Sequence, residues 1–174
     1  MTRRVVDTNV AVIANGRDTN ASIECRLRSV IALEHLVQSG CVVIDDAGSI
    51  LNEYEGRLYP EGQPGVGDRF YRHVLDNRGN VRRVRMVDTA LARADALRRA
   101  FERGTLAAFD RSDRVFALCA VVGRVPVATA MDSDWAQHEA GLTACGVRIE
   151  YVCGREVAGN AARVPVRTRE RRQP

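Results

Sequence analysis

The sequence predicts an α/β fold, a three-layer α/β/α sandwich around a central, mostly parallel sheet of about four to five strands. Three observations predict it. Short apolar runs of strand length alternate with segments of helical periodicity, the signature of parallel strands joined by helical crossovers. The runs at Cys41–Ile44 and Val125–Ala130 are almost wholly apolar, as expected of strands covered on both faces. Acids mark the junctions where such runs stop, the position where open parallel sheets bind ligands.

The first strand is expected over Arg3–Asp7, followed by a turn-rich stretch from Gly16 to Ala21. A helix follows over Ala21–Gln38, with Ile23, Leu27, Val30, Ile31, Leu33 and Leu36 expected on its buried side. Ser39-Gly40 stops it, and Cys41–Ile44 is a buried strand ended by Asp45-Asp46. A second helix carries Ile50, Leu51, Tyr54 and Leu58 and stops at Pro60. Glu61–Asp68 holds three glycines and Pro64, so it is a loop; with no Lys behind it, it is no phosphate-binding P-loop. A helix over Asp68–Asp76 buries Phe70, Val74 and Leu75, and Val81–Val87 reads as a half-exposed strand.

Asp88 or Thr89 caps a helix running to Arg103. Asp110 or Ser112 opens another, whose Val115, Phe116, Leu118, Cys119 and Val122 make it deeply buried. The strand Val125–Ala130, an acidic turn, a helix Trp135–Ala140 and a last strand Val147–Val152 complete the series.

The length of 174 residues fits one domain, expected over residues 1–158 with an insert around 60–87. Residues 159–174 read as a basic, flexible tail: five Arg against Glu170 carry a charge equal to the whole chain's net +4. Every basic residue is Arg. Five cysteines at 25, 41, 119, 145 and 153, with no C-x-x-C pair, read as reduced thiols and lack zinc-ligand spacing. No apolar run approaches the roughly 20 residues of a membrane helix. Asp7 interrupts the run behind the basic start, so no signal peptide is expected, and the expected location is cytoplasmic.

The candidate site is a set of acids remote in sequence. Asp7 ends the first strand, with Thr8 and Asn9 able to orient its carboxylate; helix capping is the bland alternative. Glu53 lies within an amphipathic helix, where a lone Glu would be a solvated surface residue. Asp113 sits in the first turn of a buried helix, three residues after Asp110. Asp132 follows the late strand, and Asp134 is either a helix cap or a further ligand. If gathered, such carboxylates repel one another unless a cation is present, and Mg2+ or Mn2+ suits an all-oxygen site. Arg78, Arg82, Arg83 and Arg85 form a basic cluster that either tracks a phosphate backbone or is an exposed charged face. His138 lies one turn from Asp134.

The ordered set Val5-Val6-Asp7-Thr8-Asn9, Glu53, Asp110-Arg111-Ser112-Asp113-Arg114 and Ala130-Met131-Asp132-Ser133-Asp134-Trp135 resembles the PIN-domain nucleases over about residues 3–152. The resemblance implies a metal-dependent endoribonuclease acting on RNA. Asp7, Glu53, Asp113 and Asp132 would hold Mg2+ or Mn2+, Asp134 would assist, and Thr8 and Asn9 would orient Asp7. It also implies candidate partners: a second copy in a homodimer, or an antitoxin, since many relatives are toxins of toxin–antitoxin pairs and others process RNA. Two further readings stand beside it. One is a non-catalytic binding module of the same fold. The other is a receiver-type or phosphoryl-transfer domain built on Asp45-Asp46, which the absence of any Lys weighs against.

Overall fold

The computed structural model describes residues 1–155. Five strands, β1 (Arg3–Val6), β2 (Cys41–Asp45), β3 (Val84–Val87), β4 (Val127–Thr129) and β5 (Ile149–Tyr151), form one sheet in the order β3-β2-β1-β4-β5. All its pairings are parallel. Seven α-helices connect and cover it among the described residues: α1 (Thr8–Ala14), α2 (Ile23–Ser39), α3 (Ser49–Glu55), α4 (Val66–Asp76), α5 (Asp95–Arg103), α6 (Arg114–Gly123) and α7 (Ser133–Ala144). The α/β class and the parallel sheet are as expected. The basic tail lies outside the described residues.

Alternation along the strands assigns the two faces. In the parallel register Val5 pairs with Val127 and Val6 with Ala128. The Val6 and Ala128 side lies toward α2, whose Leu33 and Leu36 border the same cavity, and α1 and α4 pack beside α2. The other side carries Val43, against which the end of α6 sits at Gly123. Helix α6 is buried along most of its length, matching the expected deeply buried helix.

The chain runs from β1 outward through β2 to β3, then returns to the other side of β1 for β4 and β5. The sheet therefore has a topological switch point between β1 and β4. Ligands of open α/β sheets bind in the crevice beyond the carboxyl ends of the strands at such a point. Asp7 follows β1 and Asp132 follows β4.

Several expectations are corrected. Helix α1 follows β1 directly, where the sequence reading placed no helix; its Val10, Ala11, Ile13 and Ala14 are all buried. In α2 the inward stripe is Cys25, Ser29, Leu33 and Leu36, whereas Ile23 is 88% exposed and Leu27 and Ile31 are each 57% exposed. The two stripes both have helical spacing, and packing chose the one containing small residues. The segment expected to be one helix up to Arg103 starts as a 3-10 turn at Ala92–Ala94 before α5. Strand β3 begins at Val84, because turns from Asn80 carry Arg83 and Val84 through backbone hydrogen bonds to the Asn80 carbonyl. The stretch around 60–87 belongs to the sandwich: α4 packs on α1 and α2, and Gly67 approaches so closely that a Cβ there would lie 2.1 Å from the Ala11 carbonyl oxygen.

The thiols are corrected too. Cys25 and Cys153, separated by 128 positions in sequence, form a disulfide, with Cα atoms 4.8 Å apart. It ties the first turn of α2 to the turn after β5. No short spacing announces a pair so distant. Cys41 and Cys119 are buried free thiols, and Cys145 is a half-buried one.

Candidate metal centre

Asp7, Asp113 and Asp132 converge at the switch point. One carboxylate oxygen from each lies within 4.8 Å of the others. They open into a cleft of about 300 Å³, which Thr8, Asn9, Val12, Glu53, Arg57, Asp110 and Ser112 also line.

Each acid arrives by a different local device. Asp7 is the N-cap of α1: Oδ1 accepts the Asn9 backbone N–H at 3.4 Å, while Oδ2 accepts the Asn9 side-chain amide at 2.7 Å and the Thr129 hydroxyl at 2.9 Å. Asn9 Oδ1 accepts the Ala130 N–H at 2.9 Å, and Nδ2 also donates to the Thr129 hydroxyl at 3.0 Å. Asn9 thereby ties the ends of β1 and β4 together through the acid they present. Asp132 caps α7 through the Asp134 N–H at 2.8 Å. Asp113 stands at the cap position of α6 but makes no capping hydrogen bond, so its carboxylate faces the other two acids instead. Asp110 closes the turn before α6, where its carboxylate accepts the Ser112 N–H and hydroxyl, each at 2.8 Å.

Electrostatics sets the character of the cluster. Burial, then repulsion from Asp132, pushes the Asp7 carboxyl up, with Thr129 and Asn9 partly offsetting this by donating to the charged form. Burial pushes Asp113 up further, joined by Asp7 and Asp132 and then by Asp110 and Asp134. Asp132 is raised by burial and by Asp134, against the backbone N–H it accepts. Three carboxyls so arranged, two buried and one half-buried, either retain protons or share a cation. The donor set is oxygen only, which suits a hard divalent ion and gives nothing to select soft metals.

Trp135, wholly buried at the third position of α7, aims its indole N–H toward Asp7 but makes no hydrogen bond. Phe109 packs edge-on against it at 5.1 Å between ring centroids.

The other expected site residues are distributed as follows. Glu53, half-buried on α3, borders the cleft without joining the three-acid group. Asp134 is a clamp: Oδ2 accepts the Asp110 N–H at 2.7 Å, and Oδ1 lies 3.1 Å from His138 Nδ1. It holds the turn that precedes Asp113. The orienting role expected of Thr8 falls to Thr129, since the buried Thr8 hydroxyl has no partner among the described residues. Arg78, Arg82, Arg83 and Arg85 do not line the cleft; Arg83 donates to the Val37 and Gln38 carbonyls at the end of α2. The guanidinium lining the cleft is Arg57. Asp45 caps α3 through the Ser49 and Ile50 N–H groups at 2.7 and 2.8 Å, which occupies the carboxylate that a receiver-type site would need free.

Sequence reasoning missed Thr129, Arg57 and Trp135. The signal for Thr129 was its position, three residues before Asp132 in a strand adjacent to β1. Comparison of the chain with protein-family models, curated proteins and solved structures returns no match.

Proposed function

We propose that the protein is a divalent-metal-dependent endoribonuclease whose metal is held by Asp7, Asp113 and Asp132. The observation that carries the reading is the convergence of these three acids, two buried and one half-buried, within 4.8 Å at the switch point of a parallel sheet. An oxygen-only group of this kind fits Mg2+ or Mn2+. Such an ion, when bound, activates water for attack on phosphorus and stabilises the charge that develops on the phosphodiester.

The chain's own residues supply the rest. Asn9 and Thr129 fix the Asp7 carboxylate, the Asp134 clamp fixes the turn before Asp113, and Arg57 at the cleft wall offers a cation to a substrate phosphate. Glu53 adds a fourth carboxylate to the lining of the cleft.

The test is cleavage of labelled single-stranded RNA by the purified chain with Mn2+ or Mg2+. Cleavage should be abolished by chelation and should fall at least a hundredfold in Asp7→Asn, which retains the shape of the side chain. Cleavage that survives chelation, or a fully active Asp7→Asn variant, would overturn the reading. Metal binding with no cleavage of any RNA would make the chain a non-catalytic binding module.

A further inference from the structure

The opposite end of the same sheet carries a second charged feature. Arg3, Arg85, Arg124 and Arg148 border one open cavity of about 420 Å³, together with Met1, Gly123, Val125 and Pro126. No acidic side chain lines it. All four arginines are exposed. Among the described residues, the side chains of Arg3, Arg85 and Arg124 make neither a hydrogen bond nor an ion pair, and Arg148 donates only to the Arg124 carbonyl, at 2.9 Å.

The fold brings these residues together from four separate segments. Arg3 is in register with Cys41, and Arg85 with Val43, so both project from the face that α6 covers. Helix α6 ends at Gly123 over Val43, leaving the start of that face open. Arg3 and Arg85 share a neighbour: the thiol of buried Cys41, pushed up by burial, feels both of them and Arg83, whose attraction for the thiolate opposes that effect.

Arg124 has a left-handed backbone, with φ of 57°, and it is the one non-glycine residue in that region among the described residues. A glycine would ordinarily close a helix in this way. An arginine held there at conformational cost points to use of its side chain.

We propose that this N-terminal edge of the sheet binds the phosphate backbone of a nucleic acid. From β3 to the approach to β5 the arginines span four strand spacings, roughly 19 Å, too long for one phosphate and suited to a run of them. Unpaired, solvated guanidiniums give up little on meeting a phosphate, and the fork geometry of Arg matches its oxygens. No aromatic side chain borders the cavity, so the surface reads charge rather than bases. Binding here does not depend on the three-acid cleft, which lies about 13 Å away along β1, from Arg3 to Asp7.

Fluorescence anisotropy of a labelled single-stranded RNA, with the full chain in EDTA so that the acid cleft is silent, tests this. The double variant Arg85→Gln/Arg124→Gly should bind about tenfold more weakly, with a log-affinity against log-salt slope shallower by about 1.4. Its melting temperature should be unchanged or higher, because glycine relieves the left-handed backbone. The exposed α5 pair Arg99→Gln/Arg103→Gln should bind like the parent. Equal loss in that control would mean bulk charge alone, and an unaltered affinity and slope in the basin variant would equally overturn the proposal. RNA cleavage failing while this binding persists would count against the metal centre alone.

Discussion

The three clustered acids are held at the cost of their own ionisation, and this gives the residue scale its prediction. Burial and repulsion from neighbouring acids raise the carboxyls of Asp7, Asp113 and Asp132, so the folded chain keeps protons that the unfolded chain releases near pH 4. A folded state that binds more protons loses stability as pH rises. The metal-free protein should therefore melt at progressively lower temperature between about pH 5 and about pH 8, and saturating Mn2+ should flatten that fall. Asp113→Asn should remove much of the slope and be more stable than the parent at the upper end without metal. A parent slope that matches the variant's would show that the cluster is not strained by charge. Trp135, the one tryptophan of the chain, faces Asp7 and so provides a fluorescence readout of the same metal titration. At this scale the sequence was legible where an acid followed a strand, as at Asp7 and Asp132. It was less legible at Asp113, because a helix-start acid and a site acid share one sequence pattern and only packing separates them.

At the scale of elements, one wholly buried acid outside the site joins three segments. Asp68 in the first turn of α4 pairs with Arg17 at 2.8 Å, and accepts the Asn15 amide and the Tyr59 and Gly65 N–H groups. These bonds hold its carboxyl below the usual range despite burial. Asp68→Ala would leave Arg17 and two backbone N–H groups without their acceptor. We expect it to lower unfolding stability by about 3 kcal/mol in urea denaturation, since removing one partner strands the others. A loss under about 1 kcal/mol would mean that water replaces the carboxylate freely. Elements expected from the sequence were strands and long helices with a clear apolar run. Helix α1 escaped because its seven residues are almost all apolar, and so short a run carries no readable period. The exposed stripe of α2 was misassigned because Ile23, Leu27 and Ile31 imitate a core face at the spacing that Cys25, Ser29 and Leu33 fill.

Across the whole molecule the sheet separates charge, with clustered acids beyond the carboxyl ends of β1 and β4 and clustered arginines at the opposite ends of the strands. Neither cluster is local in sequence, and strand order is what assembles each. The class of fold and all three acids were legible, Asp113 least plainly; the arginine basin and the disulfide were not, because both depend on which distant turns meet. The disulfide sets the last prediction. Closing a loop of 128 residues removes chain entropy from the unfolded state worth about 5 kcal/mol. Reduction by dithiothreitol should lower the denaturation midpoint in proportion, and Cys25→Ser should make the protein insensitive to the reductant. A midpoint indifferent to dithiothreitol in the parent would mean that the bond does not form in solution.

The same bridge turns most of the chain into a ring fastened near its two ends. A protease that cuts the exposed bend at Glu61–Gln63 would open the ring without releasing anything. The halves would travel together on a gel until the sulfurs are reduced, and the severed protein would retain both of its charged poles in one piece.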